Sequence, residues 1–393
     1  MKSEILIECE KLDHFGRGIS RINGKPLFVP NLLPTEKALV KITQDKKKFS
    51  VGEIIELKEK SKDRICSKCP YETCGCALKN MKYEKALIYK KEKVKDILRK
   101  FGNITIDEIE IVPSKNIYNY RNKITLKVDH GKIGYYKNNT NELIEIDKCY
   151  LATEKINKII SKLKKENLEN VREIIIKDMK QLMLIIKGEM NIDNLKKYCD
   201  SIYINDKLVF GAEKILNQIG DYNFYVSKDS FFQVNNYIAT ELYFKVLEYC
   251  KGGKNLLDLY CGTGTISLFL SKYFDHVTGV EINKEAVKCA NENKKINNIT
   301  NVDFICKDAN KIKKSVDTIV LDPARSGITE EGVKNIFRIK PKKIVYVSCN
   351  PITLATNLKE LSKSYKLKEI VLFDMFPWTY HVECVCLLCL NDG

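Results

Sequence analysis

Three groups of residues in this sequence have the types and spacing to do chemistry. Cys349 lies in Ser348-Cys349-Asn350-Pro351, a turn-forming stretch after an apolar run, and a thiol there has the makings of a nucleophile. Glu383, in His381-Val382-Glu383, is an acid ahead of another apolar run and a candidate proton acceptor. Cys66, Cys69, Cys74 and Cys76 crowd one short stretch, and thiolates so spaced suit zinc or an iron–sulfur cluster. Taken alone, each has a plainer reading. A cysteine among apolar neighbours is often a small core residue, and Cys199, Cys250, Cys289, Cys306, Cys384, Cys386 and Cys389 are read that way.

A fourth element adds a ligand. Asp258-Leu259-Tyr260-Cys261-Gly262-Thr263-Gly264-Thr265 joins a predicted strand to a predicted helix. Gly262 and Gly264 let the backbone approach a ligand closely at a helix N-terminus. Glu281, nineteen residues after Gly262, ends the next strand and is placed to hold a ribose diol. A dinucleotide site would want a third glycine where Ser267 stands. Asp-x-x-Cys-Gly-Thr-Gly resembles instead the first motif of S-adenosylmethionine-dependent methyltransferases, with Asp308 placed to meet the adenine amino group.

Two further loops follow later strands: Asp322-Pro323-Ala324-Arg325, and the one holding Cys349. Methylation of an exocyclic nitrogen commonly uses an aromatic residue where Arg325 stands, which disfavours nitrogen chemistry. A cysteine in the adjacent loop points to covalent chemistry at carbon. Carbon 5 of a pyrimidine is a poor nucleophile until a thiolate adds to carbon 6, and a base must then remove the carbon 5 proton. Cys349 suits the first role and Glu383 the second.

These residues must be held by three segments. Residues 1–58 carry five short strand-like runs separated by Gly, Asn-Gly and Pro, which predicts a small OB-like barrel. Phe15, Arg17, Arg21 and Lys46–Lys48 offer a grip on nucleic acid, although a solvated basic hairpin explains Lys46–Lys48 equally well. Residues 59–224 form a mixed α+β middle domain with a long basic helix from about Met81 to Phe101 and a helical stretch at Ile192–Cys199. Residues 225–393 alternate helix and strand, as in a Rossmann-like, doubly wound α/β domain with ligands at the carboxyl ends of the strands.

The longer motifs carry a closer resemblance. Phe232-Gln233-Val234-Asn235, Ser348-Cys349-Asn350-Pro351-x-Thr353-Leu354-Ala355 and Asp374-Met375-Phe376-Pro377-x-Thr379-x-His381-Val382-Glu383 are similar to those of the RNA uracil-5-methyltransferase family, over nearly the whole chain. The resemblance implies that Gln233, Tyr260, Glu281 and Asp322 contact S-adenosylmethionine or the target base, with Cys349 as nucleophile and Glu383 as proton acceptor. Ala324 departs from the family's Asp-Pro-Pro-Arg. Gly16-x-Gly18-Ile19, Phe28-Val29-Pro30 and Ser61-x-x-Arg64 resemble the TRAM domain, an RNA-binding module. Members acting on transfer RNA typically lack that domain and the cysteines, so 23S ribosomal RNA is the expected partner. Tyr120-Arg121-Asn122-Lys123 also matches, either meeting RNA phosphate or packing the middle domain. The family's ribosomal members hold a 4Fe–4S cluster on Cys-x5-Cys-x2-Cys and one distant cysteine. The resemblance therefore implies Cys69, Cys74, Cys76 and Cys149 as ligands, with Cys66 spare and both intervals shorter here.

Composition agrees with these readings. The 393 residues are 44% hydrophobic, enough for several cores, and the net charge of +16 favours a polyanionic partner. No apolar run approaches the ~20 residues of a membrane span, and the first residues carry acids where a signal peptide is apolar, so a cytoplasmic protein with no membrane and no obligate protein partner is expected. Fifteen cysteines is a high count, but a disulfide framework is not expected in a chain this large with no secretion signal. Transfer RNA as substrate, a non-catalytic RNA-binding or iron-sensing protein, and a cytosine-5 methyltransferase are the competing readings. The last would carry Pro-Cys, which does not occur here.

Overall fold

The computed structural model describes residues 4–72, 75–137 and 140–391. Near the N-terminus a six-stranded sheet curls on itself, built from Glu4–Glu8, Lys11–Leu12, Gly18–Ile22, Lys25–Val29, Lys37–Asp45 and Ser50–Glu59. Alternation puts Ile7, Leu27, Val29, Ala38 and Val40 on one face, where they form its small core. Its exit is clasped by a bidentate pair. Arg64 donates through Nη2 to Glu36 Oε2 at 2.7 Å, and Glu36 is fully buried. That clasp is the physical content of the Ser61-x-x-Arg64 signature.

The middle segment holds a seven-stranded sheet running from Leu143–Glu145 at one edge to Lys207–Gly211 at the other. Helix Glu154–Leu163 covers it through Ile156, Ile159, Ile160 and Leu163. The predicted helix at Ile192–Cys199 is only a 3-10 turn, Lys196–Tyr198. Leu195 and Ile192 there turn inward singly rather than forming a repeating stripe.

The third sheet has eight strands. Five parallel strands lie in the order Val302–Cys306, His276–Glu281, Asn255–Leu259, Thr318–Leu321, Lys343–Ser348. Glu383–Leu390 then pairs antiparallel with Lys343–Ser348, and Tyr365–Phe373 follows. The order reverses at Asn255–Leu259, the switch point beside which α/β sheets bind ligands.

The eighth strand does not come from residues 225–393. Glu110–Val112 pairs parallel with Tyr365–Phe373, and helix Tyr83–Ile97 packs against helix Pro351–Leu361. This departs from a middle domain spanning 59–224. The cause is the apolar face of that basic helix: Val94, Ile97 and Leu98 belong to the same core as Leu354 and Leu358.

Candidate active site

The loop after Asn255–Leu259 is held by backbone chemistry. Tyr260 takes a left-handed conformation with φ of 67°, and Gly264 has φ of 83°. A Cβ on Gly264 would sit 2.5 Å from the Phe304 ring, so only glycine fits. Glu281 Oε2 accepts from Gly262 N at 3.2 Å and its Oε1 from Asn283 N at 2.8 Å, which sets its carboxylate at the loop's rim. Asp308 accepts from Asn310 N at 2.9 Å, and burial raises the Tyr260 phenol's pKa with the Asp308 charge adding to the rise. Ile282, next to Glu281, is 70% exposed at this rim. Sequence reading passed over it because an exposed isoleucine has no signal of its own.

Beneath the loop lie buried acids. Burial pushes the Asp258 carboxyl up to about 7, even though Ser267 Oγ donates to it at 2.5 Å, and Asp322 adds to the rise. The other Asp258 oxygen has no partner. Burial likewise pushes Asp322 up to about 7.

Cys349 and Glu383 meet through strand register. Ser348 lies opposite Cys384, which brings the next residues of the two segments, Cys349 and Glu383, side by side at the end of the sheet. Burial, with Asp322 adding, holds Glu383 well above the usual carboxyl range, and Arg325 opposes that rise. Burial pushes the Cys349 thiol up to about 11; Glu383 adds to this, and Arg325 draws it down by charge and a hydrogen bond. The Arg325 carbonyl is itself fixed, accepting from Asn350 Nδ2 at 2.9 Å and Thr353 Oγ1 at 3.1 Å. The loop carrying Asp322 and Arg325 is thereby tied to the helix that begins after Cys349.

Gln233 is brought to the same region from across the chain. It is 6% exposed, its Oε1 is unpartnered, and its backbone carbonyl accepts from Asn122 Nδ2 at 3.1 Å. Asn122 N also donates to Val234 O at 3.0 Å. Lys177 holds the approach to this loop, donating to the carbonyls of Ser227, Lys228 and Ser230 at 2.7–3.1 Å. The motif around Tyr120 is therefore a clamp at two of its residues: Asn122 fixes the Gln233 loop, and Tyr120 OH donates to Pro377 O at 3.2 Å. Arg121 instead lines a cavity of about 490 Å³, which Gln233 and Arg325 also line.

Cys69, Cys76 and Cys149 line that cavity too. Cys76 is pushed up to about 12 by burial, and the other two thiols add to the rise. Among the described residues no three Cys, His, Asp or Glu groups stand close enough to hold a metal ion. Cys74 lies outside the described residues, and Cys66 is exposed.

Lysines 90 and 93 went unread in the sequence. Lys90 is 1% exposed and makes an ion pair with fully buried Asp374, whose other oxygen accepts from Tyr83 OH at 2.7 Å. Lys93 donates to Tyr380 O. Together they hold the loop that leads into Glu383.

Known proteins with this arrangement agree with one another. The model of the tRNA (uracil-5-)-methyltransferase family matches residues 195–317 and 307–390, and that of the TRAM domain matches 2–55. An uncharacterised RNA methyltransferase of Halalkalibacterium halodurans is 33% identical, covering 98% of this chain and 97% of its own. One of Clostridium acetobutylicum is 35% identical, covering 97% and 96%. The crystal structure of Pyrococcus abyssi tRNA (uracil-54, C5)-methyltransferase in complex with S-adenosyl-L-homocysteine superposes with a TM-score of 0.84 at 30% identity, covering 98% of this chain and 99% of that one. With relatives of that identity aligned from end to end, this chain belongs to the RNA uracil-5-methyltransferase family.

Proposed function

We propose that this protein methylates carbon 5 of a uridine in RNA through a covalent adduct on Cys349. The observation that carries the proposal is the placing of Cys349, Glu383 and Arg325 at the ends of neighbouring strands. S-adenosylmethionine supplies the methyl group. Glu281 and Asp308 suit its ribose and adenine; Gln233, Tyr260 and Asp322 complete the pocket. The Cys349 thiolate adds to carbon 6 of the ring, and the electron pair moves to make carbon 5 nucleophilic. After methylation Glu383 takes the carbon 5 proton, the double bond re-forms, and the thiolate leaves. Cys349→Ala is expected to abolish methyl transfer while S-adenosylmethionine still binds, and 5-fluorouridine RNA to trap a covalent adduct on the wild type. Near wild-type turnover by Cys349→Ala sinks the mechanism.

The thiol-rich segment favours 23S ribosomal RNA as substrate. A second reading, transfer RNA, draws support from the Pyrococcus abyssi enzyme, which is similar across the barrel as well and so removes the barrel as a discriminator. Mapping 5-methyluridine in both RNAs from cells with and without the gene separates the two. Cys69, Cys76 and Cys149 would hold an iron–sulfur cluster together with Cys74, fixing the cavity wall. Protein purified without oxygen is then expected to be brown, with about four irons, and Cys149→Ala to lose the colour. A colourless wild type with no iron sinks the cluster.

A further inference from the structure

The curled N-terminal sheet does more than sit beside the catalytic sheet. Its loop Asp13–Arg17 reaches the loop that ends at Glu383. Phe15, 52% exposed, lies edge-on to Tyr380 with ring centroids 5.6 Å apart. Tyr380 stands 4.1 Å from the His381 ring, and His381 feels the charge of Arg325, which also acts on the Cys349 thiol. On the other side of Phe15, the Arg17 guanidinium lies between two rings, 5.4 Å from Phe15 and 4.4 Å from Phe28. Arg17 is fixed there by Asp13 at 2.6 Å, and the loop is pinned by Tyr89 OH donating to Asp13 O at 2.7 Å. A line of flat groups thus runs from the face of the barrel to the mouth of the active site.

We propose that Phe28, Arg17, Phe15, Tyr380 and His381 form a stacking path for the unpaired nucleotides that flank the target uridine. The inference rests on the RNA methyltransferase reading and adds to it a place for the neighbouring bases. Three features fit single-stranded nucleic acid. The rings touch one another outside the hydrophobic cores, and Phe15 keeps half its surface open. Exposed Lys46 lies over the Phe49 ring at 5.3 Å, and Phe49 meets Phe28 with centroids 5.8 Å apart, so a cation stands at the barrel end of the path where a phosphate would run. The path also ends beside the catalytic loop, where a base extruded to reach Cys349 leaves its neighbours unstacked.

Stacking carries little charge, and this gives the test its edge. Binding of a mixed-sequence single-stranded RNA of about 16 nucleotides is measured for wild type, Phe15→Ala and Phe15→Trp at two salt concentrations. Phe15→Ala is expected to weaken binding by roughly 5- to 150-fold with an unchanged salt slope, and Phe15→Trp to restore it. Binding of S-adenosylmethionine and thermal stability are expected to stay at wild-type values in both. Equal RNA affinity in Phe15→Ala overturns the proposal. So does an equal loss in Phe15→Trp, or a loss accompanied by weaker S-adenosylmethionine binding, because the ring then only fastens the barrel to the catalytic sheet. Failure of the wild type to methylate any RNA uridine overturns the functional reading instead, and this binding assay does not depend on it.

Discussion

A thiol pushed up to about 11 supplies little thiolate at neutral pH, and the near group that opposes the rise is the Arg325 guanidinium. Arg325→Ala is therefore expected to slow methyl transfer by roughly 100-fold and to move the rising limb of the pH–rate profile to higher pH. Single-turnover assays between pH 6.5 and 9.5 check this; an unmoved limb removes Arg325 from the chemistry. The acids make a second prediction. Asp258 and Asp322 sit near 7 in the folded chain, above their usual carboxyl values. Their contribution to stability is thus full below about pH 4 and is lost as pH rises through about 7. A cation bound beside them offsets that loss. Affinity for S-adenosylmethionine should rise between pH 6 and 8 more steeply than affinity for S-adenosylhomocysteine, which lacks the sulfonium charge. Calorimetric titration at the two pH values reads the difference, and parallel slopes overturn it. Cys349 and Glu383 were legible as a pair because each has a motif around it. Arg325's action on them was not, because no spacing tells which way an exposed arginine folds back.

Helix Tyr83–Ile97 shows where reading by element fails. Its run of lysines suggests a solvated or RNA-facing surface, yet Lys90 and Lys93 are buried. The partner of Lys90 is Asp374, 284 residues further on, a separation that no local pattern reports. The strands of the third sheet behave oppositely: His276–Glu281, Val302–Cys306, Thr318–Leu321 and Lys343–Ser348 run as expected, since short apolar runs ended by turn residues are a local signal. Removing one partner of a buried pair leaves an uncompensated charge. Lys90→Met should cost about 3–5 kcal/mol and slow release of product, because the loop before Glu383 loses its anchor. Denaturant unfolding measures the first effect. A stability change under about 1 kcal/mol would mean the pair acts like an exposed one.

At the scale of the whole molecule the charge of +16 has to be placed. Lys46, Lys47 and Lys48 are exposed at a turn of the barrel. Replacing all three by alanine should lower the salt slope of RNA binding by up to about 0.7 per lost phosphate contact and leave S-adenosylmethionine affinity unchanged. Filter binding at several salt concentrations tests it, and an unchanged slope makes the turn a merely solvated one. No described helix is long and apolar enough to cross a membrane.

The pairing of Glu110–Val112 with Tyr365–Phe373 also fixes an order of events in synthesis. Residues about 260 positions apart must meet before the sheet has its edge, and chain emerges at ~5–20 residues per second. The barrel can close early from its own strands. Helix Tyr83–Ile97, however, must wait with Lys90 and Val94 exposed until Asp374 and Leu354 have been made. The nascent chain therefore carries a folded RNA-binding module well before it carries an active site. For that interval it is able to hold RNA without modifying it, and a chain stalled before residue 383 would remain in that state.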